Sequence, residues 1–99
     1  MYPSKYIFYT DPGHGWLEVP LCECRALGIA DKISGYSYVQ VKGGAAWVYL
    51  EEDCDAALYM NAYKEKYGRA REVVEVHFEN IFIRNLPHYE TRFKDAKSY

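Results

Sequence analysis

Two stretches of this chain bring together side chains able to do chemistry. Asp11-Pro12-Gly13-His14-Gly15-Trp16 places a histidine between glycines, with an aspartate three residues before it. An accessible imidazole oriented by a carboxylate is the arrangement of a general base. Glu51-Glu52-Asp53-Cys54-Asp55 packs four carboxylates and a thiol into five residues, a composition suited to a divalent cation. Joined in space, His14, Asp11 and the acidic cluster would make a small metal-binding or hydrolytic enzyme. Other features count against that reading. No serine or cysteine lies in an activating motif. Gly13-His14-Gly15 is not a phosphate-cradling loop, and its glycines suit a tight reversal. Asp53-x-Asp55 lacks the glycine and the bidentate glutamate of a calcium loop. His14, His77 and His88 follow no metal-ligand spacing. Cys22 and Cys24, two apart on a helical segment, point to nearly opposite sides, and no Cys-x-x-Cys pair exists. The expectation is therefore no enzyme, no catalytic residue, no metal set and no cofactor, with the three cysteines reduced and structural.

The elements that position these residues follow from patterning. Tyr6 to Thr10 reads as a strand, Asp11 to Gly15 as its turn and Trp16 to Val19 as a second strand, giving a hairpin. Pro20 opens a short helix striped by Leu21, Cys24 and Leu27, and Gly28 closes it. After a polar connection, 36–41 is a third strand, Lys42-Gly43-Gly44-Ala45 a turn and 46–50 a fourth strand. A longer helix spans 53–67, with Ala56, Tyr59, Met60, Tyr63 and Tyr67 on one face and Gly68 as its stop. A fifth strand covers 73–78, the pattern weakens from Asn80, and 88–99 is expected to be a mobile tail. The order is ββαββαβ. It predicts a single α+β domain over 1–99, with an antiparallel, partly mixed sheet and both helices on one face.

Within that fold the acids have a structural explanation. They sit at the positive end of the long helix, Asp53 as its N-cap, while Lys64, Lys66, Arg69 and Arg71 sit at or beyond the negative end. Glu51, Glu52 and Asp55 are then available to dock on a basic partner. Period-two alternation separates Val39, Val41, Val48 and Leu50, which suit the helix side, from Tyr36, Tyr38, Trp47 and Tyr49. The same alternation groups Val74, Val76 and Phe78 against Val73, Glu75 and His77, placing Glu75 and His77 beside the tyrosines. Two fates are open for the aromatic face, which also takes in Trp16. Ile81, Phe82, Ile83 and Leu86 would cover it, or it would stand exposed as a platform for a partner or a second copy.

Composition narrows the partners. A hydrophobic fraction of 49% suits a folded domain, and eleven tyrosines suit half-buried surfaces and interfaces. A net charge of -2 supplies no general attraction to phosphate backbones, so single-strand stacking on the aromatic face ranks below a protein partner. No apolar run is long enough for a membrane span. Met1-Tyr2-Pro3-Ser4-Lys5 lacks the apolar core of a signal peptide, which makes the bacterial cytoplasm the expected location.

Asp11-Pro12-Gly13-His14-Gly15-Trp16-Leu17-Glu18-Val19, Leu27-Gly28-Ile29-Ala30-Asp31-Lys32-Ile33-Ser34 and Tyr49-Leu50-Glu51-Glu52-Asp53-Cys54-Asp55-Ala56 together resemble a group of small uncharacterised proteins encoded by bacteriophages and other bacterial mobile elements. The group has no activity to carry over, so no residue inherits a role from it. What the resemblance implies is a setting, in which small acidic domains without catalytic motifs often inhibit host defence, anti-CRISPR proteins among them. The expected function is a non-enzymatic protein-interaction domain that binds a host protein or nucleoprotein complex, with a homodimer as a further possibility. Its expected contact residues are Trp16, Tyr36, Tyr38, Trp47, Tyr49, Glu51, Glu52 and Asp55.

Overall fold

A computed structural model of the chain describes residues 4–90. The elements are β1 (Tyr6–Thr10), β2 (Gly15–Pro20), α1 (Leu21–Ala26), β3 (Tyr38–Lys42), β4 (Ala45–Glu51), a π-helical turn (Glu52–Ala56) continuing into α2 (Ala57–Tyr67), β5 (Val73–His77) and a 3-10 turn (Phe82–Asn85). The five strands form one sheet in the order β3-β4-β2-β1-β5. β5 runs parallel to β1, and every other pairing is antiparallel. The α+β class and the mixed sheet therefore hold. Among the described residues no helix is long and apolar enough to cross a membrane.

The two faces of the sheet bury different chemistry. On the helix side Leu17, Val19, Val39, Ala46, Val48 and Leu50 pack with Leu21 and Cys24 of α1 and with Tyr59 and Tyr63 of α2. On the other side Trp16 and Tyr49 pack against Ile81 and Ile83, with Tyr9, Tyr38, Trp47 and Leu86 at the margin. The segment 81–89 thus runs across the aromatic face as a strap. Its far end is pinned to β3: Tyr38 bridges His88, the Val39 N–H donates to the Pro87 carbonyl and the Tyr89 N–H to that of Ser37. Tyr89 is buried with its hydroxyl on the Ala30 carbonyl at 2.5 Å, because the ring finishes the helix-side core between that loop and α1. Of the tail expected over 88–99, His88 and Tyr89 are therefore docked, and 91–99 lie outside the described residues.

β5 departs from the alternation argument. Its register pairs Ile7 with Val74 and Tyr9 with Val76, which puts these valines and Phe78 on the aromatic side, where the Phe78 and Tyr9 rings stack at 6.0 Å. Glu75 and His77 fall on the helix side instead of beside the tyrosines, and His77 Nδ1 meets Thr10 Oγ1 at 2.9 Å. β5 is an edge strand exposed over most of its length, so its apolar pattern carries no inward direction and pairing alone fixes its faces.

Candidate functional site

Four elements meet at the start of α2, where β4 ends beside the β1–β2 turn, the loop before β3 and the strap. β4 runs to Glu51, and the chain turns there. Both Glu51 carboxylate oxygens accept the Asp53 N–H at 3.1 Å, so Glu51 caps the helix in place of the expected Asp53. The strand continuing one residue further than its apolar pattern is the reason for this displacement.

Asp55 faces inward at 3% exposure. One of its oxygens accepts the Ser34 N–H at 3.0 Å and the hydroxyls of Ser34 at 2.7 Å and Ser37 at 2.5 Å. Ser37 Oγ in turn accepts the Glu51 N–H at 3.0 Å. A buried carboxylate needs this many donors to repay its lost hydration. Asp55 is therefore a loop anchor, and its assignment as a partner-binding residue is corrected. Glu51, 8% exposed, is likewise more cap than contact. Among the described residues, the acids left open at this corner are Glu52 and Asp53.

The aromatic face is covered. Trp16 and Tyr49 are buried under the strap, so neither serves as an exposed platform. The physical reason is that Ile81 and Ile83 find their burial there. The Tyr49 hydroxyl donates to Glu18 at 2.7 Å, and Lys42 Nζ donates to the same oxygen at 2.8 Å, which satisfies a buried carboxylate below the strap. Burial, then the Glu18 hydrogen bond, push the Tyr49 phenol far above its ordinary range. Trp47 is half-buried with Lys42 Nζ 4.8 Å from its ring centre. Tyr36 alone of the five expected aromatics stands well exposed, at 69%.

The β1–β2 turn is built by Asp11. Its Oδ1 accepts the N–H groups of Gly13 and His14, each at 2.9 Å, and Arg84 clamps both oxygens at 2.6 and 3.1 Å. The Arg84 hydrogen bond holds the Asp11 carboxyl well below the usual carboxylate range. Asp11 thus orients His14 through its backbone and not through its ring. The tight reversal forms as expected, with neither Gly13 nor Gly15 in a left-handed conformation. Gly15 is required for space: a Cβ there would stand 2.6 Å from the Phe8 ring.

These pieces enclose a cavity of about 350 Å³. Trp16, Tyr38 and Tyr36 form its aromatic wall, and Glu51, Asp53 and Cys54 its acidic one. His14, His88 and Arg84 complete the rim. The His14 and Trp16 rings lie 6.0 Å apart, and the Arg84 guanidinium sits 5.1 Å from the Trp16 ring centre. His88 stacks on Tyr38 at 4.5 Å, and its Nδ1 donates to the Gly35 carbonyl at 2.7 Å, which leaves Nε2 as an acceptor. Ligating atoms of His14, Glu51 and Asp53 all lie within 4.8 Å of one another. Desolvation, then the Glu51 carboxylate, push the exposed Cys54 thiol up, which lowers its thiolate fraction and its nucleophilicity. None of the three cysteines is in a disulfide. A larger groove of about 520 Å³ lies between α1 and α2, walled by Leu27, Leu58 and Ala62, with Lys32, Glu65 and Lys66 on its edges.

Sequence reasoning placed the acidic corner and His14 and joined them only in its alternative reading, a small metal-binding or hydrolytic enzyme. It missed Arg84 and His88, which reach the cavity from the strap. Arg84 carried one signal, as the lone cation inside the apolar run 81–86. His88 carried none, since its position depends on where the strap docks. In comparisons with known proteins the chain matches no family model, no curated protein and no solved structure.

Proposed function

We propose that this chain is a non-enzymatic protein-interaction domain that docks on a basic partner through the corner at the start of α2. The observation that carries this reading is Tyr36, 69% exposed at a cavity that Glu51 and Asp53 also line. An exposed aromatic beside carboxylates suits an arginine- or lysine-bearing segment, which gains ring contact and charge pairing together. Glu52 and Asp53 supply steering, while Glu51 and Asp55 hold the corner in shape. On the strength of the resemblance to phage-borne proteins, we read such a domain as an anti-defence inhibitor acting in the bacterial cytoplasm. A host nucleoprotein complex is then the partner, since its nucleic-acid channel offers the basic surface. The test is affinity capture from bacterial lysates with the wild-type chain, Tyr36→Ala and a Glu52→Lys/Asp53→Lys double variant. The expected result is a basic protein retained by the wild type and lost by both variants, with retention falling as salt rises. Capture that is indifferent to both variants, or no stable partner across several hosts, overturns the proposal.

A further inference from the structure

We propose that the cavity at the start of α2 is a divalent-metal site of the first-row transition type, with His14, Glu51 and Asp53 as its ligands. The three donor atoms already lie within 4.8 Å of one another. Around a tetrahedral ion with bonds of about 2.0–2.2 Å, neighbouring ligand atoms stand roughly 3.4 Å apart. Closing that gap takes about an ångström, within reach of side-chain rotation by His14 and Asp53, which are both exposed.

The fixed parts are built as a metal site needs them. Glu51 is buried and seated by the Asp53 N–H, and a carboxylate with one such donor keeps lone pairs for a cation. His14 is held through its backbone by Asp11, itself clamped by Arg84, so the turn is fixed while the ring turns. Among the described residues neither ring nitrogen of His14 has a hydrogen-bond partner, so either can ligate. One imidazole with two carboxylates favours zinc, cobalt or nickel over calcium, which takes six to eight oxygens.

A second, independent observation concerns what else the cavity would hold. Trp16 is 1% exposed on the cavity wall, and its Nε1–H has no hydrogen-bond partner among the described residues. Buried donors are rarely left without an acceptor. Three protein ligands leave a fourth position open, and a water or small anion bound there would supply that acceptor beside Arg84. The helix start works against a cation with about half a positive charge, but Glu51, Glu52 and Asp53 outweigh it. The Arg84 charge is already committed to Asp11.

This proposal shares Asp53 with the docking reading, whereas Tyr36 and Glu52 are not ligands and so report on docking alone. The test is calorimetric titration of chelator-stripped full-length protein with Zn²⁺ alone, alongside the visible absorption of the Co²⁺ form. One ion per chain is expected, with intense tetrahedral Co²⁺ bands. His14→Ala and Asp53→Asn should each weaken affinity at least tenfold while leaving the circular dichroism unchanged. Cys54→Ser and Glu52→Gln should stay within about threefold of wild type. The proposal is overturned by an absence of saturable Zn²⁺ binding at tens of micromolar. Affinity unchanged in His14→Ala, or lost in Cys54→Ser, overturns it equally. Partner capture repeated in chelator separates this outcome from failure of the docking reading.

Discussion

The two faces of the sheet solve the same problem with different materials. The helix side is closed by regular structure, with α1 and α2 laying aliphatic and tyrosine side chains over Leu17, Val48 and Leu50. The other side is closed by a strap with one short turn of helix, which sets Ile81, Ile83, Leu86 and the edge of the Phe82 ring against Trp16 and Tyr49. Both faces carry a carboxylate that satisfies tyrosine hydroxyls. Glu23 of α1 accepts from Tyr6 and Tyr59, and Glu18 of β2 accepts from Tyr49 with Lys42 alongside. Both also carry an arginine on an aromatic ring, Arg71 lying 3.7 Å from the Tyr6 centre and Arg84 lying 5.1 Å from that of Trp16. The difference is that helices bring their own backbone hydrogen bonds, whereas the strap depends on the sheet for its own. Side-chain chemistry therefore gathers where the strap docks, and the candidate site lies there.

The sharpest test of this parallel is to cut the same volume from each face. Leu50 and Ile83 are both fully buried, one on each side. Leu50→Ala and Ile83→Ala should each cost about 3 kcal/mol, in the range for large-to-small changes in a packed core. Denaturant midpoints would measure both, with an unchanged slope showing that unfolding stays cooperative. If Ile83→Ala cost under about 1 kcal/mol while Leu50→Ala cost the full amount, the strap would be a loose cover and not half of the core.

The contrast between the faces also explains what the sequence could show. Strands β1 to β4, both helices and their stops at Gly28 and Gly68 were legible, because each is written in local periodicity and in left-handed glycines. The corner acids were legible as a helix start, yet their individual fates were not. Asp53 and Asp55 are two residues apart on one turn, and only the docking of Ser34 and Ser37 buries the second. The strap was weakest in pattern, since a segment that is neither strand nor helix has no period. That it would cover the aromatic face was one of two expectations from its apolar content. Its register, which carries Arg84 and His88 to the cavity, depends on tertiary contacts with no local signal. β5 failed for the opposite reason, since its pattern was clear but an exposed edge gives it no direction to point.

The paired carboxylates give a smaller and more discriminating comparison. Glu18 is buried and Glu23 only partly so. Removing the charge leaves Glu18→Gln with a weakened Tyr49 hydrogen bond and a Lys42 without its partner. Hydrogen bonds to charged groups contribute about 1.5–3 kcal/mol, so Glu18→Gln should cost about 2 kcal/mol. Glu23→Gln should cost about 1 kcal/mol, because solvent can replace part of what it loses. Thermal melts of the two variants would rank them, and the reverse order would show that the helix side leans more on its polar anchor.

The smallest expected effect comes from the clamp between strap and hairpin, and it has a definite sign in pH. Arg84 holds the folded Asp11 carboxyl below its ordinary value, while the unfolded chain titrates it near about 3.9. Below that value the unfolded state binds a proton that the folded state does not. The clamp's stabilisation is thus fully present above about pH 5 and is lost as pH falls toward the depressed folded value. The Arg84 side chain is 45% exposed, so screening limits the effect to about 1 kcal/mol. Asp11→Asn keeps an oxygen to accept the Gly13 and His14 N–H groups but has no charge to titrate. Urea midpoints at pH 5 and pH 3 should therefore fall further for the wild type than for Asp11→Asn. The helix side provides the control, since Arg71 lies on the Tyr6 ring and Arg71→Ala should leave the acid slope unchanged. Equal acid slopes for wild type and Asp11→Asn would show that the strap is held by apolar burial alone, with the ion pair adding nothing.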